Sequence, residues 1–169
     1  MRIMPAVLAG LLLVPIDAAN AQELVFAPDS TESCLDGLGD TDDPGDCIGA
    51  SATACMEATE GGWSTVGTGA CLEAERVYWD QRLNVAYRAL MEKKLADDAE
   101  LADLGYSSAS LTVTLRDMQR AWIGFRDAAC AYERAQWTGG SGAGPATLSC
   151  LMYRTGEQAL YLESNLTGY

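Results

Sequence analysis

The sequence predicts an all-α fold: a small disulfide-bonded antiparallel helical bundle with a loop-rich acidic N-terminal head. Three observations carry this reading. Apolar residues recur at three-four spacing in three successive stretches of the second half of the chain. No run alternates apolar and polar residues in the way a substantial sheet requires. Six cysteines in a chain of 169 residues suit a small exported domain stapled by disulfides. With 49% hydrophobic residues, one domain with one core is expected.

Residues 1–21 read as a signal peptide. Arg2 precedes the apolar run Ile3 to Val14, and Ala19-Asn20-Ala21 supplies a small-x-small cleavage site ahead of Gln22. No later segment is continuously apolar over the roughly 20 residues of a membrane helix, and no cysteine follows the cleavage site to carry a lipid anchor. The expected product is periplasmic or secreted, without membrane insertion once the signal is removed.

Export changes the meaning of Cys34, Cys47, Cys55, Cys71, Cys130 and Cys150. None forms a CxxC pair and the chain has no histidine, so neither a structural zinc site nor any other metal or cofactor is expected. Of the fifteen possible connectivities, sequence proximity favours Cys34–Cys47, Cys55–Cys71 and Cys130–Cys150.

Residues 22–54 form the acidic head. "CLDGLGDTDDPGDC" carries glycine, proline and aspartate at turn frequency and reads as a loop closed by Cys34 and Cys47. Asp40, Asp42 and Gly45 fall at positions 1, 3 and 6 of a calcium-loop pattern, but Pro44 at position 5 and Ser51 at position 12 remove its ligands, leaving a solvated acidic loop. A short helix is expected over Ala50 to Thr59, and "GGWSTVGTG" reads as a second loop.

The helical domain, residues 55–169, has its first long helix from about Gly69 to about Asp98, with Leu72, Trp79, Leu83, Ala86 and Leu90 on one stripe. A second helix starts at Leu111 and places Leu115, Met118, Trp122, Phe125, Ala129 and Tyr132 inward, ending near Gly139-Gly140. "GGSGAGP" connects it to a last helix in which Pro145 suits the first turn and Leu148, Met152, Thr155, Ala159, Leu162 and Leu166 face the core. Short links between amphipathic helices imply antiparallel neighbours, with Cys130–Cys150 bridging the last two.

The formal net charge is −13, and signal cleavage leaves it unchanged by removing one base, Arg2, and one acid, Asp17. Gln22 to Glu75 holds twelve acids and no lysine or arginine, whereas Arg76 to Tyr169 is nearly balanced. Such a surface is a poor partner for nucleic acid, whose phosphates need clustered cations. A basic exported protein would be attracted instead, with Asp36, Asp40, Asp42, Asp43 and Asp46 as steering acids.

Catalysis finds little support. The commonest general base is absent and the cysteines are expected to be oxidised. Carboxylate pairs such as Glu73 with Glu75, or Asp80 with Glu92, are arithmetically possible for a glycosidase, but nothing marks them out from surface acids.

"WDQRLNVAYRAL" at 79–90, "LRDMQRAWIGFRDAAC" at 115–130, and C-x4-T at Cys150 and Thr155 resemble the LprI-type family, formerly DUF1311, over roughly Cys55 to Leu162. The resemblance implies an exported, cysteine-bearing helical protein of a family with one known lysozyme inhibitor. Matching positions make Asp80, Leu83, Asn84, Tyr87, Gln119, Trp122, Arg126, Asp127, Cys130, Cys150 and Thr155 the signature residues. Gln158 departs from the pattern, standing where the family often has arginine. The preferred reading of these residues is structural: on facing helices, an Arg126–Asp80 pair would lock register. Asp117, Arg120 and Asp127 are expected to point away from the Met118–Trp122–Phe125 stripe, which Gln119 and Arg126 flank. Two functions follow: a proteinaceous lysozyme inhibitor that occludes the cleft with a loop such as Gly61–Gly69 or Gly139–Pro145, or an envelope binding or assembly module without enzymatic activity.

Overall fold

The computed structural model describes residues 23–106 and 109–167; the expected signal peptide, residues 1–21, lies outside them. The described residues contain helices and no strands. In order they are α1 (Asp29–Asp36), a 3₁₀ turn (Pro44–Cys47), α2 (Ala50–Ala58), α3 (Thr65–Asp103), α4 (Leu111–Gln136) and α5 (Ala143–Thr167). All three disulfides pair as expected, Cys34–Cys47, Cys55–Cys71 and Cys130–Cys150.

The bundle runs up, down, up. α3 and α5 are parallel and make the most extensive helix contact, as Gly69 beside Leu148, Arg82 paired with Glu163, and Lys93 donating to the Leu166 carbonyl show in turn along the axis. α4 is antiparallel to both, its start capped from the end of α3 and its Cys130 joined to Cys150. The expected α3 stripe is buried throughout, with Trp79 fully enclosed. In α5, Met152, Thr155, Ala159 and Leu162 are buried as expected.

The α4 stripe matches expectation at Leu115, Met118 and Trp122, which pack against the core, and differs beyond them. Phe125 and Tyr132 are exposed, 58% and 66%. The inward line is Leu115, Gln119, Trp122, Arg126 and Cys130, so two polar residues take positions that an apolar periodicity cannot assign. Arg126 fills its place because its guanidinium lies over the Trp122 ring at 5.0 Å, keeping the stem against apolar surface. The exposed Phe125 instead meets the Arg154 guanidinium, 5.7 Å from its ring centre.

α3 is longer than expected at both ends. The Ser64 hydroxyl accepts from Gly67 N–H at 3.0 Å and starts the helix within the expected second loop. Gly67 serves close approach: a Cβ there would sit 2.3 Å from the Gly61 carbonyl oxygen. At the other end Tyr106 N–H donates to Leu101 O at 2.9 Å and Gly105 N–H to Ala102 O at 3.0 Å, with Gly105 at φ 77°, the glycine stop of a Schellman turn.

The head is not only a loop. Residues 34–36 belong to the last turn of α1 and 44–47 to the 3₁₀ turn, leaving 37–43 irregular. Cys47 and Ile48 are buried and Leu35 packs against the same core as α3 and α5. α2 closely matches the expected short helix and straddles the junction between residues 54 and 55.

Glu75 fastens the head to α3. It is fully buried, and its two carboxylate oxygens accept from the Thr31 hydroxyl (2.9 Å), Gly49 N–H (2.8 Å), Ala52 N–H (2.5 Å) and Trp79 Nε1–H (3.0 Å). Thr31 and Ser51 complete the knot by exchanging backbone-to-hydroxyl bonds of 2.9 and 3.1 Å. One buried cluster thus satisfies the Thr31 N–H at the start of α1 and the Gly49, Ser51 and Ala52 N–H groups at the start of α2.

A second carboxylate joins α3 to α4. Asp98 accepts from the N–H groups of Leu111 (2.7 Å) and Thr112 (3.1 Å) and from the Ser110 and Thr112 hydroxyls (both 2.8 Å). The Leu111 and Thr112 N–H groups, helped by the hydroxyls, hold its carboxyl at about 2, below the ordinary 3.8. The folded carboxyl is harder to protonate than the unfolded one, so its contribution is full above about pH 4 and is lost as pH falls through about 2. Side-chain carboxyl NMR titration of Asp98 is expected to give a midpoint near 2, and Asp98→Asn to remove the associated loss of stability in that window; a midpoint at the ordinary value would contradict the cap.

Candidate functional site

The faces that α3 and α4 turn toward each other do not close completely. Between them lies an open groove of about 520 Å³, within the range of small-ligand sites. Its α3 wall is Asp80, Leu83, Asn84 and Tyr87, spaced i, i+3, i+4 and i+7 and therefore on one face. Its α4 wall includes Gln119, Trp122 and Arg126. Seven signature residues thus converge on one groove.

The polar ones are not used to lock the helices. The expected Arg126–Asp80 pair is not formed: Arg126 Nε and Nη2 donate to the adjacent Asp127 at 2.9 and 2.8 Å, and Asp80 accepts from Asn84 Nδ2 at 3.0 Å within its own helix. The stacking of Arg126 on Trp122 aims the guanidinium along α4 rather than across the groove, which accounts for the difference. The interhelical polar contact lies deeper, where buried Gln158 Nε2 donates to buried Gln119 Oε1 at 2.9 Å. Gln158, the departure from the family pattern, is therefore the partner of a signature residue. Thr155, the signature residue of α5, is fully buried with no hydrogen-bond partner for its hydroxyl.

Sequence reasoning missed part of the α4 wall. Arg116, Arg120 and Ile123 also line the groove. Arg120 and Asp117 are exposed as expected, in an ion pair of 3.8 Å, and Asp127 is exposed beside Arg126. Arg116 has no ion pair among the described residues. The i, i+4, i+7 spacing of 116, 120 and 123 was a visible signal, but it names a face without saying what that face meets.

The arithmetically possible carboxylate pairs do not converge. Glu73 is bound to Arg76 at 2.6 Å on the surface, whereas Glu75 is buried in the head cluster. Asp80 and Glu92 stand twelve residues apart on one helix, about 18 Å, beyond the roughly 5–10 Å of glycosidase pairs. In the head, Asp36, Asp40, Asp42, Asp43 and Asp46 are exposed. Asp42 accepts from Gly39 N–H and Asp43 from Gly45 N–H, both at 2.8 Å. No metal-ligating group of three acidic or sulfur side chains forms among the described residues.

The two loop candidates lie at the same end of the bundle, since the start of α3, the end of α4 and the start of α5 meet there. Residues 59–64 expose Trp63 and are flanked by the Cys55–Cys71 bridge. Residues 137–142 expose Trp137, which rests against Gly142. No helix among the described residues is long and apolar enough to cross a membrane.

Residues 55–162 match the family described as Lysozyme inhibitor LprI. The chain is 31% identical over 93 residues to an uncharacterized protein of Rhizobium meliloti, covering 55% of this chain and 67% of that protein. It is 27% identical over 128 residues to an uncharacterized 17.7 kDa protein in the puhA 5' region of Rhodobacter capsulatus, covering 72% of this chain and 75% of that one. No solved structure matches.

Two substitutions separate scaffold from groove. Thr155→Val removes a buried hydroxyl without a partner and is expected to hold or raise stability by about 1 kcal/mol in thermal or denaturant unfolding. Arg126→Ala, which loses only a surface-facing pair and a stacking contact, is expected to cost about 1 kcal/mol or less. A cost of several kcal/mol for Arg126→Ala would restore the register-lock reading.

Proposed function

From the premise that this chain belongs to the Lysozyme inhibitor LprI family, as its match over residues 55–162 establishes, we propose that it is an exported, non-enzymatic inhibitor that binds a cationic lysozyme and occludes its cleft. Family membership is the observation that carries the reading. The geometry supports it in two ways. The acidic head is tied at both ends: the Cys34–Cys47 bridge closes the segment that carries its aspartates and the Glu75 cluster anchors Thr31 and Gly49 on either side of it, which lowers the order to be gained on binding. The charges outside close contact then speed encounter with a basic partner.

The occluding element is the loop 59–64. Trp63 is 64% exposed on it, and an exposed tryptophan on a pre-ordered loop is the kind of anchor that dominates binding energy at an interface. The loop is pinned by the Cys55–Cys71 bridge, by the packing of Gly67 against Gly61, and by Thr59, whose hydroxyl accepts from Val25 N–H at 3.0 Å. The exposed Glu57 and Glu60 continue the acidic field from the head to this loop.

The test is binding kinetics of the mature protein with a c-type lysozyme at low and high salt, alongside a cell-wall lysis assay. Changing Asp36, Asp40, Asp42, Asp43 and Asp46 to asparagine is expected to slow association several-fold with dissociation nearly unchanged, and added salt to do the same as screening shortens the reach of charge to about 8 Å. Trp63→Ala is expected to speed dissociation at least about tenfold and relieve inhibition. Absence of saturable binding at low salt would overturn the proposal for that enzyme, and binding without inhibition of lysis would reduce it to nonspecific charge attraction.

A further inference from the structure

The lining of the α3–α4 groove is richer in cations than the molecule around it. Three guanidinium groups line it, Arg116, Arg120 and Arg126, against one lining carboxylate, Asp80, in a chain of net charge −13; Arg126 is already bound to Asp127, which leaves Arg116 and the loosely paired Arg120 as the available cations. Its place on the molecule also separates it from the head. At about 100° per residue, Asp80 and Asn84 stand roughly 140° and 180° around α3 from Glu75, so the groove opens on the far side of that helix from the acidic cluster.

The antiparallel order of the walls gives the groove two ends. Asp80 and Arg126 lie at one end; Tyr87, Arg116 and Arg120 lie at the other. Arg116 has no ion pair among the described residues, and Arg120 has only a long, exposed contact of 3.8 Å with Asp117. Two adjacent arginines on one helix face, with donors unengaged, form a fork suited to a carboxylate. At the opposite end Asp80 and Asn84 offer acceptors and repel a second anion. Buried Leu83 and the half-buried Trp122 between them form an apolar floor with planar edges.

We propose that this groove is a binding site for a small carboxylate-bearing saccharide, one or two rings long. Its carboxylate is held by Arg116 and Arg120, its hydroxyls donate to Asp80 and Asn84, and its ring face rests on Leu83 and the edge of Trp122. A neutral sugar would leave the arginines without their partner. A doubly acidic peptide would set a carboxylate against Asp80. The site is independent of the lysozyme-binding surface, since it shares no residue with the head or with the loop 59–64.

The test is calorimetric or NMR titration of the full mature protein with matched probes: N-acetylmuramic acid against N-acetylglucosamine, and glucuronic acid against glucose, each pair differing by a carboxylate. The acidic member is expected to bind at least about tenfold more tightly than its neutral match, with backbone shifts confined to 80–87 and 116–126. The double variant Arg116→Gln, Arg120→Gln, at exposed positions, is expected to erase that preference while keeping the melting temperature and lysozyme binding. Asp80→Asn is expected to weaken both members of each pair. Equal binding of acidic and neutral sugars, no saturation up to about 10 mM, retention of the preference in the double variant, or tighter binding of a diglutamate peptide than of either sugar acid would each overturn the proposal.

Discussion

The fold depends on one buried carboxylate. Glu75 is fully enclosed and makes no ion pair among the described residues, an arrangement that costs several kcal/mol in lost hydration unless the oxygens are fully engaged. They are engaged by four donors, two of them backbone N–H groups at the start of α2, where the helix dipole also favours negative charge. Gly49 supplies one donor from a left-handed backbone, φ 100°, which turns the chain from the 3₁₀ segment into α2. Trp79 supplies another and is itself the largest fully buried side chain. One carboxylate therefore sets the direction of α2, the seat of α1 through Thr31, and the centre of the α3–α5 core.

That constraint gives the molecule two unlike flanks. On one, the Glu75 cluster and the Cys34–Cys47 bridge present a row of exposed aspartates on a fixed frame. On the other, α4 is held to α3 through Asp98 at its start and to α5 through Cys130–Cys150 near its end, and between these ties the α3–α4 faces stay apart over the groove. A helix fastened at both ends can leave polar side chains unpaired along its middle. The proposals for the two flanks follow from this separation of charge: protein encounter on the acidic side, a small anion on the basic one.

Much of this was legible in the residues. The α3 and α5 stripes, the helix over 50–58 and the three bridges follow from three-four spacing and from short cysteine separations, both local signals. The α4 interior was half legible: Leu115, Met118 and Trp122 pack against the core as apolar periodicity has them, whereas Gln119 and Arg126 take inward positions that it cannot assign and Phe125 and Tyr132 face out. The stop of α3 at Gly105 carried its usual sequence sign, a glycine after the last turn, yet the charged stretch before it conceals where the helix ends. Glu75 was visible only as one acid among many. Its role needs residues 23 to 44 positions away in sequence, Ala52, Gly49 and Thr31, and no local pattern brings those together. The groove was half legible: the family resemblance singled out its α3 wall and Gln119, Trp122 and Arg126 of its α4 wall, but Arg116 and Arg120 lie outside the signature.

Glu75 joins head and bundle into one unit. Backbone hydrogen exchange in the intact protein and in Glu75→Gln tests it most directly, since the amide places one donor group where only acceptors fit. The amides of Thr31, Gly49 and Ala52 are expected to exchange at least about tenfold faster in the variant, by more than those of Leu83 and Ala159 in the bundle. Unchanged protection of those three head amides would contradict it.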